Sequence, residues 1–132
     1  MVLSLLKRTK LDPNREVEEA AQGDPLAIQA WEEYHSSIES AKSTFNGQGI
    51  VFDLHGQGHL QNSTEVGYLL SKTQLNDGFY DTSVTSVKSL AEITGVENAN
   101  MIIGEESFGA FLENQGFNAL PSPRQPSPGL IL

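Results

Sequence analysis

The stretch Gly49-Ile50-Val51-Phe52-Asp53-Leu54-His55-Gly56-Gln57-Gly58-His59 decides which fold this chain is expected to have. Its β-branched and aromatic half is typical of a buried strand, and that strand would end abruptly in an acid, two histidines and two glycines. Side chains alternate along an extended strand, so Asp53 and His55 would lie on the same side. Because ligands of open α/β sheets bind beyond the carboxyl ends of strands, we predict a site there. The alternative is a polar loop in which both histidines are solvated.

The composition restricts the partners that the chain can have. It has 132 residues, 8 lysines and arginines, 17 acids and a formal net charge of −9. An acidic surface repels polyanions, so we expect no nucleic-acid partner and no binding to anionic membranes, while protein partners stay unknown.

There is no cysteine, so a metal would have to be held by His, Asp or Glu. No apolar run approaches the roughly 20 residues of a membrane span. Since no secretory signal is recognisable either, we expect a cytoplasmic protein.

The best-defined element is a helix that Asp24 caps and Pro25 begins. Apolar side chains recur at helical spacing and form one stripe, which consists of Ala27, Ala30, Trp31, Tyr34, Ile38, Ala41 and Phe45. We expect Trp31 on this stripe to be buried, and Asn46-Gly47 to end the helix. An apolar run at residues 2–6 is a candidate strand. That run, the helix and the strand at residues 49–54 would form a parallel βαβ unit.

The rest of the chain predicts shorter elements. They are a strand at residues 65–70, a turn at residues 75–78, a helix over residues 84–93 ended by Gly95, and a helix over residues 105–115 ended by Gly116. The apolar face of the last helix would consist of Phe108, Phe111 and Leu112. Strands that alternate with helices predict an α/β fold, a mainly parallel sheet with flanking helices. We expect one domain over residues 1–120 and an irregular proline-rich tail over residues 121–132.

Two short patterns suggest other chemistry but lack its context. Residues 56–61 begin like a dinucleotide fingerprint, but the third glycine is missing and no helix clearly opens there. Residues 104–109 resemble a nucleophile elbow with one residue too many between the first glycine and Ser107. Ser107 is better explained as a first-turn residue of the last helix. Neither nucleotide binding nor serine hydrolysis is therefore favoured.

Metal-assisted hydrolysis is the chemistry that the histidines favour. Neutral imidazole is the commonest protein ligand of zinc, so His55 is the candidate ligand, and His59 and Glu65 lie close enough in sequence to join it. A catalytic zinc needs three protein ligands and an open position for a water, whose pKa the metal lowers towards neutrality. His35 lies beside the apolar stripe of the first helix, and we interpret it as structural.

Arg8 and Arg15 are the candidate anion-binding residues. A planar guanidinium binds a carboxylate through two parallel hydrogen bonds, and a second guanidinium can stabilise an oxyanion. The alternative for both is an exposed charge that only aids solubility. Arg15 lies in a turn before a capped helix rather than in a run of charges, so both hypotheses stay open for it.

Several of these motifs, in this order, resemble the N-formylglutamate amidohydrolase family. The matching segments are Lys10-Leu11-Asp12-Pro13-Asn14-Arg15-Glu16, Trp31 with Tyr34-His35, Asp53-Leu54-His55-Gly56-Gln57-Gly58-His59, and Glu65-Val66-Gly67-Tyr68-Leu69. Three later segments are also similar to that family: Ser107-Phe108-Gly109-Ala110-Phe111-Leu112, Gly116 and Pro121-Ser122-Pro123. The resemblance covers most of the chain, and the wider group resembles zinc carboxypeptidases. It implies a zinc-peptidase-like α/β core and hydrolysis of the amide bond of N-formyl or other N-acyl amino acids.

The resemblance also implies roles for individual residues. His55 matches the family's zinc ligand, and Asn14 and Arg15 match the pair that resembles a clamp for the substrate carboxylate. Arg8 resembles the arginine that polarises the scissile carbonyl, which would make it catalytic. We expect Asp53 to orient a ring nitrogen or a loop amide rather than to bind the metal. Two further candidates match family positions without an assigned role: His59 and Glu65.

The sequence departs from the family pattern at both ends. The pattern has an earlier strand with a histidine and an acid that complete the zinc site, and a later strand with a catalytic glutamate. The chain therefore resembles the middle of a hydrolase domain, and we expect an incomplete core, weak zinc binding and no measurable amide hydrolysis. A non-catalytic isoform or pseudoenzyme that binds a partner or a small carboxylate is the alternative. A plain α/β domain whose histidines do nothing is the third hypothesis.

Overall fold

The chain divides into two compact units, Met1–Gly56 and Gln57–Leu132. The structure, a computed structural model, describes residues 1–47, 49–56, 58 and 62–129. The boundary between the units falls inside the span predicted as a single domain over residues 1–120. The described part of the proline-rich segment belongs to the second unit, where Pro121 and Ser122 are buried. Within the described ranges, no helix combines the length and the apolar character that crossing a membrane requires.

The described residues form a mixed α/β structure that is dominated by short helices. The first unit contains α1 (Val17–Ala21) and α2 (Pro25–Ser43). The second unit contains β1 (Thr64–Glu65), α3 (Lys72–Asn76), a 3-10 turn (Thr82–Val84), α4 (Lys88–Thr94), α5 (Asn98–Ile103), α6 (Phe108–Asn114) and β2 (Ala119–Leu120). The expected combination of helices with parallel strands is confirmed only at this coarse level, because the described sheet has two strands.

The start of α2 confirms the helix predicted from Asp24 and Pro25. The Asp24 carboxylate accepts hydrogen bonds from the backbone amides of Leu26 at 2.8 Å and Ala27 at 3.1 Å, which satisfies two amides at the first turn. The predicted apolar stripe is only partly buried. Ala27 is its one buried member, Trp31 is half-buried, and Phe45 is exposed. The helix therefore packs through its first half.

A small core holds the first unit together. Leu11, only 2% exposed, packs with Ala20 and Ala21 of α1 and with Ala27 of α2. Four partly buried side chains pack around this cluster: Val17, Ile28, Ala30 and Trp31. Because Leu11 comes directly before the turn at residues 12–15, its burial places that turn beside α2.

The strands predicted at residues 2–6 and 49–54 are wrong, and with them the βαβ unit. Neither segment is a strand in the structure, and α2 has no sheet to pack on in the described part of the first unit. The side chains of Ile50, Val51 and Phe52 are each 58% exposed. β-branched and aromatic residues favour extended backbone, but a strand also requires a neighbouring strand for its amides and carbonyls. The composition of residues 49–54 does not reveal whether such a neighbouring strand exists.

The described sheet lies in the second unit, where β1 and β2 pair in parallel with Thr64 opposite Ala119. The amide of Val66 extends the pairing by donating to the carbonyl oxygen of Leu120 at 2.7 Å. The strand predicted at residues 65–70 is therefore wrong beyond its first residue. Leu69 has a φ of 64°, which takes the backbone out of the extended region. A zinc-peptidase-like core remains a proposal.

Helices of the second unit surround a core made of Tyr68, Leu75 and Ile102. The hydroxyl of Tyr68 accepts a hydrogen bond from the amide of Phe108 at 3.2 Å, and burial raises the pKa of Tyr68. The predicted stop at Gly95 is confirmed, since this residue ends α4 with a φ of 67°. The last predicted helix is shorter than expected, because Ser107 caps α6 through the amide of Ala110.

Candidate functional site

A concavity of about 430 Å³ opens on the surface of the first unit. Its walls come from three segments, namely the turn before α1, the half-buried face of α2 that carries Trp31 and His35, and the segment that follows α2. The lining residues are Pro13, Asn14, Arg15, Glu16, Trp31, His35, Asp53 and His55. It combines cationic, amide, imidazole, carboxylate and aromatic groups, which is a composition suited to a small polar ligand.

The turn over residues 12–15 follows directly from its sequence. The amide of Arg15 donates to the carbonyl oxygen of Asp12 at 3.1 Å, and the amide of Asn14 lies 3.3 Å from Asp12 Oδ1. Aspartate at the first position and proline at the second are preferred in such turns, since the carboxylate can bind the following amides and proline fixes φ. The turn sets Asn14 and Arg15 side by side at the mouth of the concavity.

The guanidinium of Arg15 is half exposed and loosely paired. Its Nε lies 3.7 Å from Asp12 Oδ2, and its Nη1 lies 3.4 Å from Glu19 Oε1. Both distances exceed the 2.7–2.9 Å of a charge-assisted hydrogen bond. Ion pairs of this exposed kind contribute little free energy. A ligand carboxylate can therefore compete with Glu19 for Arg15.

Arg8 shares the Asp12 carboxylate with Arg15 but does not line the concavity. Its Nε donates to Asp12 Oδ2 at 2.7 Å, and it is not among the described residues that line the concavity. Partial burial of Asp12 favours its neutral form, but the hydrogen bonds from Arg8 and from the Asn14 amide, together with the charges of Arg8 and Arg15, outweigh it. The pKa of Asp12 is therefore lowered. Asp12 stays anionic at neutral pH and holds Arg8 beside the turn.

Asp53 and His55 form a hydrogen-bonded pair that also lines the concavity. His55 Nε2 lies 2.8 Å from Asp53 Oδ2, and both side chains are largely exposed. Because a carboxylate can only accept, the ring nitrogen that faces it carries the proton. In the neutral ring, Nδ1 is then the remaining acceptor. The pair stands on a segment outside the described helices and strands, so the expected strand-end setting is wrong although the two residues do lie together.

Two ring nitrogens on α2 contact the backbone of the turn. Trp31 Nε1 donates to the carbonyl oxygen of Arg15 at 2.9 Å, and His35 Nε2 lies 3.1 Å from the carbonyl oxygen of Pro13. The rings of Trp31 and His35 are stacked at a tilt, with centroids 4.0 Å apart. The contact to Pro13 agrees with the structural interpretation of His35. Sequence reasoning missed that both side chains border the concavity, although their spacing of four residues on one helix was visible.

The structure thus gathers some of the predicted site residues and separates others. Asn14, Arg15, Asp53 and His55 line one concavity, whereas Arg8 lies outside it. Glu65 belongs to β1 in the second unit, where it interacts with other groups. His59 lies outside the described residues.

The described residues do not fit a catalytic zinc ion. No group of three His, Asp or Glu side chains that could hold a metal occurs in the part of the chain that the structure describes. A catalytic zinc site needs three protein ligands and an open position. Around His55, Asp53 occupies Nε2 with a hydrogen bond, which leaves one ring nitrogen for any other ligand. We therefore assign no chemical step to a metal.

The comparisons with known proteins neither support nor contradict the resemblance. No protein-family model, curated protein or solved structure matches the chain. Membership of the N-formylglutamate amidohydrolase family stays a prediction. The function must be inferred from the groups in the concavity, which are a guanidinium, an amide, an imidazole–carboxylate pair and an aromatic wall.

Proposed function

We propose that this chain binds N-acyl amino acids, or carboxylates of similar size, as an N-formylglutamate amidohydrolase-like module, and that it does so without hydrolysing them. The observation that supports the proposal is the convergence of Asn14, Arg15 and the Asp53–His55 pair on one concavity. These residues come from distant parts of the first unit. A volume of about 430 Å³ lies within the range of small-ligand sites.

Arg15 binds the carboxylate of the ligand. Its guanidinium is half exposed, and its two present carboxylate neighbours lie at 3.4 Å and 3.7 Å. A ligand carboxylate that approaches to hydrogen-bond distance gains two charge-assisted bonds in the plane of the guanidinium. The formal net charge of −9 repels anions at long range, so the affinity depends on this local contact.

Asn14 and His55 recognise the acyl-amide part. The Asn14 side chain offers both a donor and an acceptor, as a secondary amide requires. His55 Nδ1 accepts from the amide N–H, because Asp53 fixes the proton on Nε2. Specificity for an N-acylated amino acid over a simple carboxylate comes from this second set of contacts.

Replacing Arg15 by glutamine is expected to weaken binding of N-formylglutamate about tenfold. A hydrogen bond to a charged group contributes about 1.5–3 kcal/mol, and the half-exposed setting reduces this towards the lower end. The measurement is a fluorescence titration, because Trp31, the single tryptophan of the chain, lines the concavity. A ligand whose carboxylates are amidated should bind both proteins equally.

One matched variant controls for the loss of a positive charge, and a second variant tests the competition for Arg15. Lys42→Gln removes one cation from the same unit, where Lys42 pairs with Glu39 at 2.7 Å on α2, and should leave the Kd within about twofold. Glu19→Gln removes the carboxylate that competes for Arg15, so binding should tighten. Equal losses in Arg15→Gln and Lys42→Gln would show that Arg15 acts only through net charge, and would contradict its role in the site.

The chain is expected to release no formate from N-formylglutamate, with or without added zinc or a chelator. The described residues do not bring three His, Asp or Glu side chains together around a metal, so they do not form a site that would activate a water. Zinc titrated into the protein should bind weakly, and His55→Ala should remove this binding. Chelator-sensitive turnover by the 132-residue chain would overturn the non-catalytic part of the proposal.

A further inference from the structure

We propose that Trp31 and His35 are positioning residues, which hold Asn14 and Arg15 in the orientation that binds the ligand. This inference rests on the proposed carboxylate-binding function and adds residues that do not themselves need to contact the ligand. We call the two side chains the α2 clamp.

The α2 clamp holds the turn at two points on either side of Asn14. Trp31 Nε1 donates to the Arg15 carbonyl oxygen at 2.9 Å, and His35 Nε2 donates to the Pro13 carbonyl oxygen at 3.1 Å. The two donors stand one helical turn apart, so they face the same side of α2. Two bonds to carbonyls that flank one residue fix both the position and the tilt of the turn.

Packing keeps the α2 clamp rigid. The Trp31 and His35 rings stack with centroids 4.0 Å apart, and Tyr34 meets His35 edge to face at 5.4 Å. Trp31 also packs against the core cluster that contains Leu11. Trp31 is therefore held against the core of the first unit, and His35 is held by its ring contacts with Trp31 and Tyr34.

The turn needs such support because its hydrogen bonds are internal except for the bond from the Asp12 amide to the Ala20 carbonyl oxygen of α1, which is long at 3.5 Å. The bond from the Arg15 amide to the Asp12 carbonyl and the contact of the Asn14 amide with Asp12 Oδ1 shape the turn. They do not set its orientation relative to α2. The ion pairs of Arg15 are too long to do so, since both exceed 3.3 Å. Loss of the clamp should release the turn from α2, so that the turn is reoriented and its internal hydrogen bonds open more often.

The test compares His35→Leu with His35→Gln in the full chain, using the Trp31 fluorescence titration with N-formylglutamate. His35→Leu removes the donor and should weaken binding about tenfold, whereas glutamine can donate from a similar distance and should restore the Kd to within about threefold. Trp31→Phe keeps an aromatic ring but removes the N–H. Binding of N-formylglutamate to Trp31→Phe, measured by calorimetry, should be weakened to a similar extent.

Hydrogen exchange of the ligand-free protein tests this inference separately from the proposed function. Hydrogen exchange of the Asn14 and Arg15 amides should accelerate in His35→Leu and Trp31→Phe but not in His35→Gln. If the wild-type chain binds no carboxylate while exchange behaves as expected, the proposed function fails and the clamp stands as a structural device only. If exchange at these amides is unchanged in both donor-removing variants, or if His35→Gln loses as much affinity as His35→Leu, the clamp is refuted.

Discussion

Replacing Gly109 by alanine is expected to destabilise the second unit by about 3 kcal/mol, near the upper end of overpacking effects. A Cβ on Gly109 would overlap the carbonyl oxygen of Pro121 and would lie 2.9 Å from Ser122 Cα. Both are backbone atoms, so no change of rotamer can relieve the overlap. Either α6 or the segment that carries Pro121 and Ser122 must move, and both are buried there.

The measurement is urea denaturation followed by far-ultraviolet circular dichroism, because Trp31, the single tryptophan, belongs to the first unit. Gly67→Ala is the matched control, since a Cβ at this position of the second unit meets no atom within 4 Å. It should change the free energy of unfolding by less than about 0.5 kcal/mol. Equal stabilities of Gly109→Ala and Gly67→Ala would show that α6 does not pack closely on Ser122.

Elements with a local cause were predictable from the sequence. Asp24 and Pro25 mark the start of α2 because capping and a fixed φ act within one helical turn. Gly95 marks the end of α4, because the left-handed conformation there suits glycine. Each signal works through atoms that are a few residues apart. No distant partner has to be known.

Elements that depend on a distant partner were not predictable. Residues 49–54 have the composition of a buried strand but lie exposed and outside any sheet, whereas Thr64–Glu65 pairs with a strand more than fifty residues later. The face of α6 was also misjudged. Phe108 and Phe111 are exposed, and the buried face contains Gly109, Ala110 and Glu113. The close approach of Ser122 selects small residues there, and hydrophobicity alone does not reveal such an approach.

The same difference between local signals and distant contacts holds for the candidate site. Arg15, Asn14 and His55 stood out by chemical type and by resemblance, and they line one concavity. Nothing local connects Trp31 and His35 with the turn sixteen or more residues earlier. Their ring nitrogens became relevant only when the packing of Leu11 brought that turn against α2.

Replacing Ser122 by alanine is expected to cost about 2 kcal/mol, because it leaves a buried carboxylate without a hydrogen bond. Ser122 Oγ donates to Glu113 Oε1 at 2.6 Å, and Ser122 is 0% exposed. The Glu113 side chain is 7% exposed, and its ion-pair partner Arg124 lies 3.9 Å away, beyond hydrogen-bond distance. Alanine also removes the acceptor for the Gln125 amide, which donates to Ser122 Oγ at 3.0 Å.

A double-mutant cycle separates the pair from its surroundings. Glu113→Leu with Ser122→Ala replaces both polar groups, so the double variant should be more stable than the sum of the single changes predicts. Ser89→Ala, at an exposed serine of α4, should change stability by less than about 0.5 kcal/mol and serves as the control in the same denaturation experiment. Additive effects in the cycle would mean that Ser122 and Glu113 do not stabilise each other, and that the burial of Glu113 must be compensated by other contacts.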